Sequence, residues 1–141
     1  MAYSFAPITY SGAALTLNEE SHGNGVIVSM NKADGWTVTL PAATGSGAFF
    51  RVRTGTSITS SAGVIAALGT DVIEGVVAVT TDTTGVTVPT SATSDKISQN
   101  GGTTGGIAGS YVELTDVASG KWLVGGFLIS TGNEASPFSA T

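Results

Sequence analysis

Cysteine is absent from this 141-residue chain, and histidine occurs once. Without cysteine there is no disulfide framework and no thiolate to bind a metal or attack a substrate, so stability has to come from packing or assembly. The single imidazole, His22, follows Glu19 and Glu20 in the segment ESHGNG. Zinc sites need three or four converging ligands. We therefore predict a solvated turn at His22, with no metal site and no cofactor.

Charge is also scarce, because only 11% of residues are charged and the formal net charge is −5, with five basic residues. Nucleic-acid affinity depends on neutralising phosphates with Lys and Arg, so nucleic acid is not an expected partner. Every apolar run is shorter than the ~18 residues of a membrane-spanning helix. The N-terminal residues also lack the basic and apolar regions of a secretory signal. We expect no membrane partner, and synthesis in a cytoplasm.

Acids and hydroxyls do not form a recognisable catalytic motif. The nearest pairs of carboxylates along the chain are Asp71/Glu74 and Glu113/Asp116. Residues three apart on a strand point to opposite faces, so neither pair converges locally. Ser46 in TGSGA lacks the strand-to-helix context of a nucleophile elbow. We predict no catalytic residues and no enzymatic activity, with a carboxylate-dependent hydrolase as a minor alternative.

The chain is rich in small residues, since Gly, Ala, Ser and Thr make up more than half of it. Short runs rich in Val, Ile and Thr alternate with Gly, Asn, Asp and Ser, a pattern typical of an all-β domain. We predict one antiparallel β-sandwich over residues 1–141, of jelly-roll type, with an N-terminal arm at 1–12 and a C-terminal tail at 131–141. The predicted strands are 13–17, 25–31, 36–40, 48–54, 64–68, 71–80, 85–88, 96–98, 111–117 and 121–129.

Two turns predict hairpins, and one region predicts loops. Asp34-Gly35 lies between VIVSMNK and WTVTL, and Ser119-Gly120 lies between YVELTDVA and KWLVGGFLI. Asp-Gly is favoured where both turn residues need positive φ. In WTVTL the alternation places Trp36 on the core side. Residues 80–109 are mostly Thr, Ser, Gly and Asp, which predicts long loops with short edge strands and QNGGTTGG as the most flexible segment.

The strand at 121–129, KWLVGGFLI, is apolar on both faces. A strand facing water on one side normally alternates apolar and polar residues, so a surplus apolar face needs a second sheet or a partner to cover it. We therefore predict contact with another protein, with Phe127 and Ile129 as interface residues. Period two places Trp122, Val124 and Leu128 on one face and Leu123, Phe127 and Ile129 on the other.

Aromatic residues near the two ends of the chain are further interface candidates. Tyr3, Phe5 and Tyr10 lie in a stretch without a strong strand signal, which suggests an extended arm that docks on a partner. The alternative is a first strand packed on its own sheet. Phe138 is one aromatic in a polar tail and suits an anchor, if the tail does not fray.

Arg51 and Arg53 lie two apart in AFFRVRTG, so they share the strand face opposite Phe50 and Val52. Two cations on one face predict a contact with acidic groups of a partner. The alternative is a solvated strand face covered by acids of the same chain.

Two segments resemble a known family of proteins. The run TVTLPAATGSGAFFRVRTG and the later run GKWLVGGFLISTGNEASPFS resemble the small virion proteins of tailed bacteriophages, particularly capsid decoration or cement proteins. In that pattern a strand ends in Leu-Pro-Ala-Ala-Thr-Gly-Ser-Gly, here residues 40–47. The final strand carries a Trp, here Trp122, before a Thr-Gly-x-x-Ala-x-Pro-Phe tail, here residues 131–138. Residues 80–109 have no counterpart in it.

The resemblance implies a β-sandwich or jelly roll that lies on the outer surface of the capsid, in the virion, and clamps neighbouring capsomers. Its partners would be the major capsid protein and the protein itself, as a homodimer or, as the alternative, a trimer. A different class also fits an all-β chain. A glycan- or receptor-binding module of a tail fibre or adhesin would use Tyr111 or Tyr10 as an exposed platform.

Overall fold

A computed structural model describes residues 6–141, so Tyr3 and Phe5 lie outside the described residues. The described chain forms strands with one short helix, α1 (Glu19–His22). No helix in this part of the chain has the length and apolar character to cross a membrane. The strands are β1 (Ile8–Tyr10), β2 (Ala14–Thr16), β3 (Ile27–Met30), β4 (Trp36–Thr39), β5 (Phe49–Thr54), β6 (Gly63–Ala66), β7 (Val72–Thr80), β8 (Gly85–Pro89), β9 (Lys96–Gln99), β10 (Tyr111–Ala118), β11 (Lys121–Ile129) and β12 (Phe138–Ser139).

Two packed sheets make a β-sandwich, which confirms the predicted fold class at that level. The seven-stranded sheet has the order β1-β3-β5-β10-β11-β7-β8, and the five-stranded sheet has the order β12-β9-β6-β4-β2. Alternate residues of both sheets point into one core, where Phe50 and Trp122 are fully buried with ring centroids 5.7 Å apart. Trp36 is buried there too, as predicted.

The sheets are mixed, so the prediction of purely antiparallel sheets is wrong. Five pairings in the described chain are parallel: β1/β3, β3/β5, β2/β4, β4/β6 and β7/β11. From β1 to β7 the chain changes sheet at every strand and then returns to the first sheet running in the same direction. This coiled path makes neighbouring strands parallel. A jelly roll is built of antiparallel strands, so the structure does not show the jelly-roll connectivity that was predicted.

One of the two predicted hairpins forms. Ser119-Gly120 joins β10 to β11 in an antiparallel pair, with Leu114 opposite Val124 and an irregularity between Asp116 and Ala118. The hairpin predicted at Asp34-Gly35 is wrong, because β3 and β4 belong to different sheets. Gly35 does adopt a left-handed φ of +94°, so a turn is present, but it carries the chain across the sandwich.

Each predicted arm contains one short edge strand, β1 in the N-terminal arm and β12 in the C-terminal tail. β1 pairs with β3, and Tyr10 packs against the core while its hydroxyl donates to the Ala14 carbonyl at 2.6 Å. At the other end Phe138 pairs with Ile97 and also packs against the core. Both ends of the chain therefore extend the sheets of their own sandwich.

The glycine-rich segment at 99–106, predicted to be the most flexible, forms a loop with several internal hydrogen bonds. The Asn100 side-chain oxygen accepts from the N–H groups of Gly102 and Thr104, and the Gly101 N–H donates to the Gly105 carbonyl at 2.8 Å. A Cβ on Gly101 would lie 2.0 Å from the Ile58 carbonyl oxygen. Glycine is needed here for close approach of two backbones.

Candidate functional site

The candidate site is the outer face, by which we mean the side of the seven-stranded sheet that points away from the core. Strand register arranges its side chains in rows that run across the strands. One row contains Ile27, Arg51, Glu113 and Gly125. A second contains Ser29, Arg53, Tyr111, Phe127, Ala78 and Thr87. A third contains Phe49, Thr115, Leu123 and Glu74.

The last long strand, β11, has the two apolar faces that its sequence predicts. Trp122 and Leu128 are fully buried on the core side. On the other side Leu123 is 46% exposed and Phe127 is 55% exposed, while Ile129 is half-buried. The second sheet covers only the core side of β11, so the surplus apolar face belongs to the outer face.

We call Leu123, Phe127, Val76 and Ala78 the apolar half of the outer face. Val76 is 49% exposed, and Ala78 is the register partner of Phe127 on β7. A shallow depression of about 480 Å³ lies beside Phe127 and extends to the edge strand β8, where Val86 is also exposed. Large apolar side chains that are exposed next to one another are typical of surfaces that bind another molecule.

We call Arg51, Arg53, Glu113 and Tyr111 the polar half of the outer face. Arg51 forms an ion pair with Glu113 at 3.2 Å, directly across the β5/β10 register. Arg53 instead donates to the Ser29 hydroxyl at 2.9 Å. Among residues 6–141 no carboxylate lies within ion-pair distance of Arg53. Its charge is therefore available for an external carboxylate.

The two halves meet at an aromatic pair. The rings of Tyr111 and Phe127 lie side by side on β10 and β11 with centroids 6.0 Å apart. On the polar side of this pair a depression of about 500 Å³ is lined by Ile27, Arg51, Arg53, Gly109, Tyr111 and Glu113. Aromatic and Arg side chains are enriched at protein interfaces, and aromatics beside polar groups also suit sugar binding.

Two glycines of the strands that carry the apolar half have positive φ. The values are +138° for Gly75 on β7 and +152° for Gly126 on β11. A Cβ on Gly75 would lie 2.2 Å from the Val124 carbonyl oxygen, and one on Gly126 would lie 2.4 Å from the Tyr111 carbonyl oxygen. Glycine is therefore required at both positions for the close approach of neighbouring strands. Alternation continues along β7, which places Val76 on the outer face beside the buried Val77.

A buried carboxylate holds the β10–β11 hairpin in place. Asp116 is 3% exposed and accepts hydrogen bonds from the backbone N–H groups of Thr44, Gly45 and Ser46 and from the Ser46 hydroxyl. Burial by itself would raise the pKa of Asp116, but these hydrogen bonds outweigh it and hold the pKa below the ordinary value. Asp116 is therefore a structural anion that fixes the loop at residues 44–46 against the hairpin.

The same loop is attached to the turn of the hairpin and to Asp71, which precedes β7. The Gly120 N–H donates to the Ala43 carbonyl at 3.0 Å, and Thr44 and Ser119 form an isolated β-bridge. The Ala43 N–H donates to the Asp71 carboxylate at 2.7 Å. The fold therefore places residues 43–44 in direct contact with the turn before β11.

The carboxylates considered for hydrolysis each have a partner within the fold. Asp71 and Asp116 hold the loop at 43–46, while Glu74 pairs with Lys121 at 3.5 Å. His22 lies in α1 and accepts from the Asn18 N–H through its Nδ1. The part of the chain that the structure describes contains no group of three or more His, Asp or Glu arranged to hold a metal ion.

The structure gathers some predicted interface residues and separates others. Arg51, Arg53 and Phe127 lie on the outer face, with Ile129 at the end of the same strand. Tyr10 and Phe138 lie against the core at the sheet edges.

Several residues of the outer face were not predicted as interface residues, among them Val76 and Gly125. For Val76 the signal is the run VVAV, which is apolar on both faces of β7, as KWLVGGFLI is on β11. Comparison of the chain with protein-family models, with curated proteins and with solved structures gives no match.

Proposed function

We propose that this chain is a structural virion protein that binds the outside of a phage capsid and clamps neighbouring capsomers, stabilising the DNA-filled head. The observation that carries the proposal is the outer face. It presents Leu123, Phe127 and Val76 to solvent beside Tyr111 and an Arg53 with no acidic partner among residues 6–141. An exposed apolar centre with Tyr and Arg around it has the composition of a protein-binding surface.

The contact between the two resemblance segments supports the same proposal. The first segment, residues 37–55, meets the second, residues 120–139, where the Gly120 N–H donates to the Ala43 carbonyl at 3.0 Å. The residues on which the resemblance rests thus lie beside the hairpin that carries Phe127. The proposed partners are the major capsid protein, here called the shell protein, and a second copy of this chain, with a homodimer favoured over a trimer.

A clamp of this kind stabilises the head by mass action. A protein that binds the assembled lattice, and not separated subunits, shifts the equilibrium toward assembly. Contact with two capsomers raises the effective concentration for the second contact, so each contact can be weak. The apolar half of the outer face suits this role, because apolar contacts are not screened by salt.

The test is a comparison of phage particles with and without this protein. We expect particles that lack it to release DNA at a temperature several degrees lower, measured by the fluorescence of a DNA dye during heating. Adding the purified protein back restores the higher temperature. Identical release curves for both kinds of particle contradict the proposal.

A second candidate function is recognition of a cell-surface glycan by a tail-fibre or adhesin module. The observation that favours it is the depression of about 500 Å³ in which Tyr111 lies beside Arg51, Arg53 and Glu113. Sugar-binding sites combine an aromatic platform with charged and polar hydrogen-bonding groups. A glycan array separates the two candidates, since hits that disappear in Tyr111→Ala favour the glycan module and an array without hits removes it.

A further inference from the structure

The outer face has one position at which a strand residue has no side chain. Gly125 points outward between Leu123 and Phe127, opposite Glu113 on β10. A Cβ built on Gly125 would meet no atom within 4 Å. Leu123 and Phe127 are four residues apart, so they stand about 13 Å from each other along the strand. We call this space the Gly125 notch, which has a backbone floor and two apolar walls.

The backbone conformation does not require glycine at this position. Its φ lies outside the left-handed range, whereas the next residue, Gly126, has a φ of +152° and no room for a Cβ. Glycine inside a strand marks a bulge, a bend, or a place where a ligand or another backbone approaches closely. Gly125 and Gly126 both lie where the β7/β11 pairing is interrupted. At Gly125 the space above the backbone is open, so another molecule can approach closely there.

Charge on the outer face indicates what else the partner carries. The face has three cations, and two of them are paired within the chain, Arg51 with Glu113 and Lys121 with Glu74. Arg53 has no such partner among residues 6–141. It lies two strands from Gly125, a lateral distance of about 10 Å. A carboxylate at that separation from an apolar side chain is complementary to this face.

We infer that the Gly125 notch receives an apolar side chain from an extended segment of the shell protein, and that a carboxylate of the same segment pairs with Arg53. The inference rests on the proposed function, because that function names the shell protein as the partner. It goes further by naming the two points of contact and their chemistry.

Filling the notch tests the first point of contact. The purified protein is sedimented with phage heads from which the native copies have been removed, and the bound fraction gives the affinity. We expect Gly125→Val to bind at least tenfold more weakly and Gly125→Ala to bind at an intermediate level. Both variants should keep the thermal unfolding temperature of the wild type, because the added atoms project into open space. Should the valine variant fail to fold, Gly125→Ala carries the test.

A matched control adds bulk on the opposite side of the molecule. Ala14→Val enlarges an exposed residue of β2 in the five-stranded sheet and should leave head binding unchanged. For the second point of contact, Arg53→Gln should weaken binding about fivefold and reduce its dependence on salt concentration.

The outcomes separate the inference from the proposed function. Wild-type protein that does not bind the heads overturns both. Wild-type protein that binds, with Gly125→Val and Gly125→Ala binding equally well, overturns the notch and leaves the proposed function standing. Unchanged affinity and salt dependence in Arg53→Gln overturns the assignment of the carboxylate.

Discussion

The two sheets of this sandwich present different outer surfaces. The outward row of the five-stranded sheet that includes Thr37 continues through Ala14, Val64 and Ser98, and the next row contains Thr16, Thr39, Ala66, Lys96 and Ser139. These side chains are mostly small or hydroxylic. The outward rows of the seven-stranded sheet instead contain Leu123, Phe127, Tyr111 and Arg53. Large apolar, aromatic and guanidinium groups are concentrated on one side of the molecule.

The two sheets are alike in their inward residues and differ in their outward residues. Both sheets bury an inward row of Val, Ile, Leu and aromatic residues, so both satisfy the core equally. Only the five-stranded sheet follows the usual pattern, in which the inward face is apolar and the solvent-exposed face is mostly polar or small. The apolar outward residues of the seven-stranded sheet contribute little to the fold, because they are largely exposed. Under the proposed function, these residues contact the partner.

The largest expected effect on the outer face of the seven-stranded sheet comes from removing Asp116, which supports the β10–β11 hairpin. Asp116→Ala leaves the backbone donors of Thr44, Gly45 and Ser46 without their acceptor. We expect a loss of about 3 kcal/mol or more of folding free energy, since buried donors lose a charged partner. Thermal unfolding followed by circular dichroism should show a decrease of about 10 °C.

The matched control is Asp82→Ala, which removes a carboxylate from an exposed loop. It should change the folding free energy by less than about 0.5 kcal/mol. Equal stability of the Asp116 and Asp82 variants contradicts the role assigned to Asp116.

A smaller perturbation of the same support is a decrease in pH. The folded state holds the pKa of Asp116 below its ordinary value, so the unfolded chain binds the proton more tightly. The stabilisation is complete above the ordinary pKa and is lost as the pH falls through the lowered, folded-state pKa. Urea unfolding at pH values from 6 down to 2 should show stability decreasing below about pH 4. Asp116→Asn, which cannot titrate, should show a shallower decrease; identical pH profiles exclude Asp116 as a cause.

The smallest expected change in stability comes from the outward residues themselves. Phe127→Ser and Val64→Ser each remove an outward apolar side chain, one from each sheet, and should each change the folding free energy by about 1 kcal/mol or less. Head binding should fall at least tenfold for Phe127→Ser and stay unchanged for Val64→Ser, measured by co-sedimentation. Equal binding of the two variants removes the distinction between the two outer surfaces.

Sequence patterns predicted the strands well because each is a local property. All ten predicted strands are present, with β11 at the predicted bounds. β1 was predicted only as the alternative to an arm, and β12 was missed, because three and two residues are too few to show an alternating pattern. The pairing of strands was predicted poorly. A turn at Gly35 reverses the chain, but only packing decides whether the next strand joins the same sheet or the opposite one.

The candidate site was predicted from period two alone. Alternation placed Phe127 on the far side of β11 from Trp122, and Arg53 on the far side of β5 from Val52. The sequence could not show that Phe127 and Arg53 lie on the same side of one sheet, because this depends on β10 lying between β5 and β11. The glycine-rich loop at 99–106 is a region for which local sequence gave the wrong expectation. Its composition indicates flexibility, whereas contacts distant in sequence, such as Gly101 with Ile58, determine its order.

The order of strands in the seven-stranded sheet has a consequence for synthesis. β10 and β11 fill its centre, between β5 and β7, yet they come from residues 111–129. A ribosome therefore releases both flanking strands before the strands that join them. Until the hairpin enters, β5 and β7 each offer an unpaired edge to other chains. A nascent chain ending before residue 111 has a gap in the middle of its sheet, so we expect truncated products to aggregate.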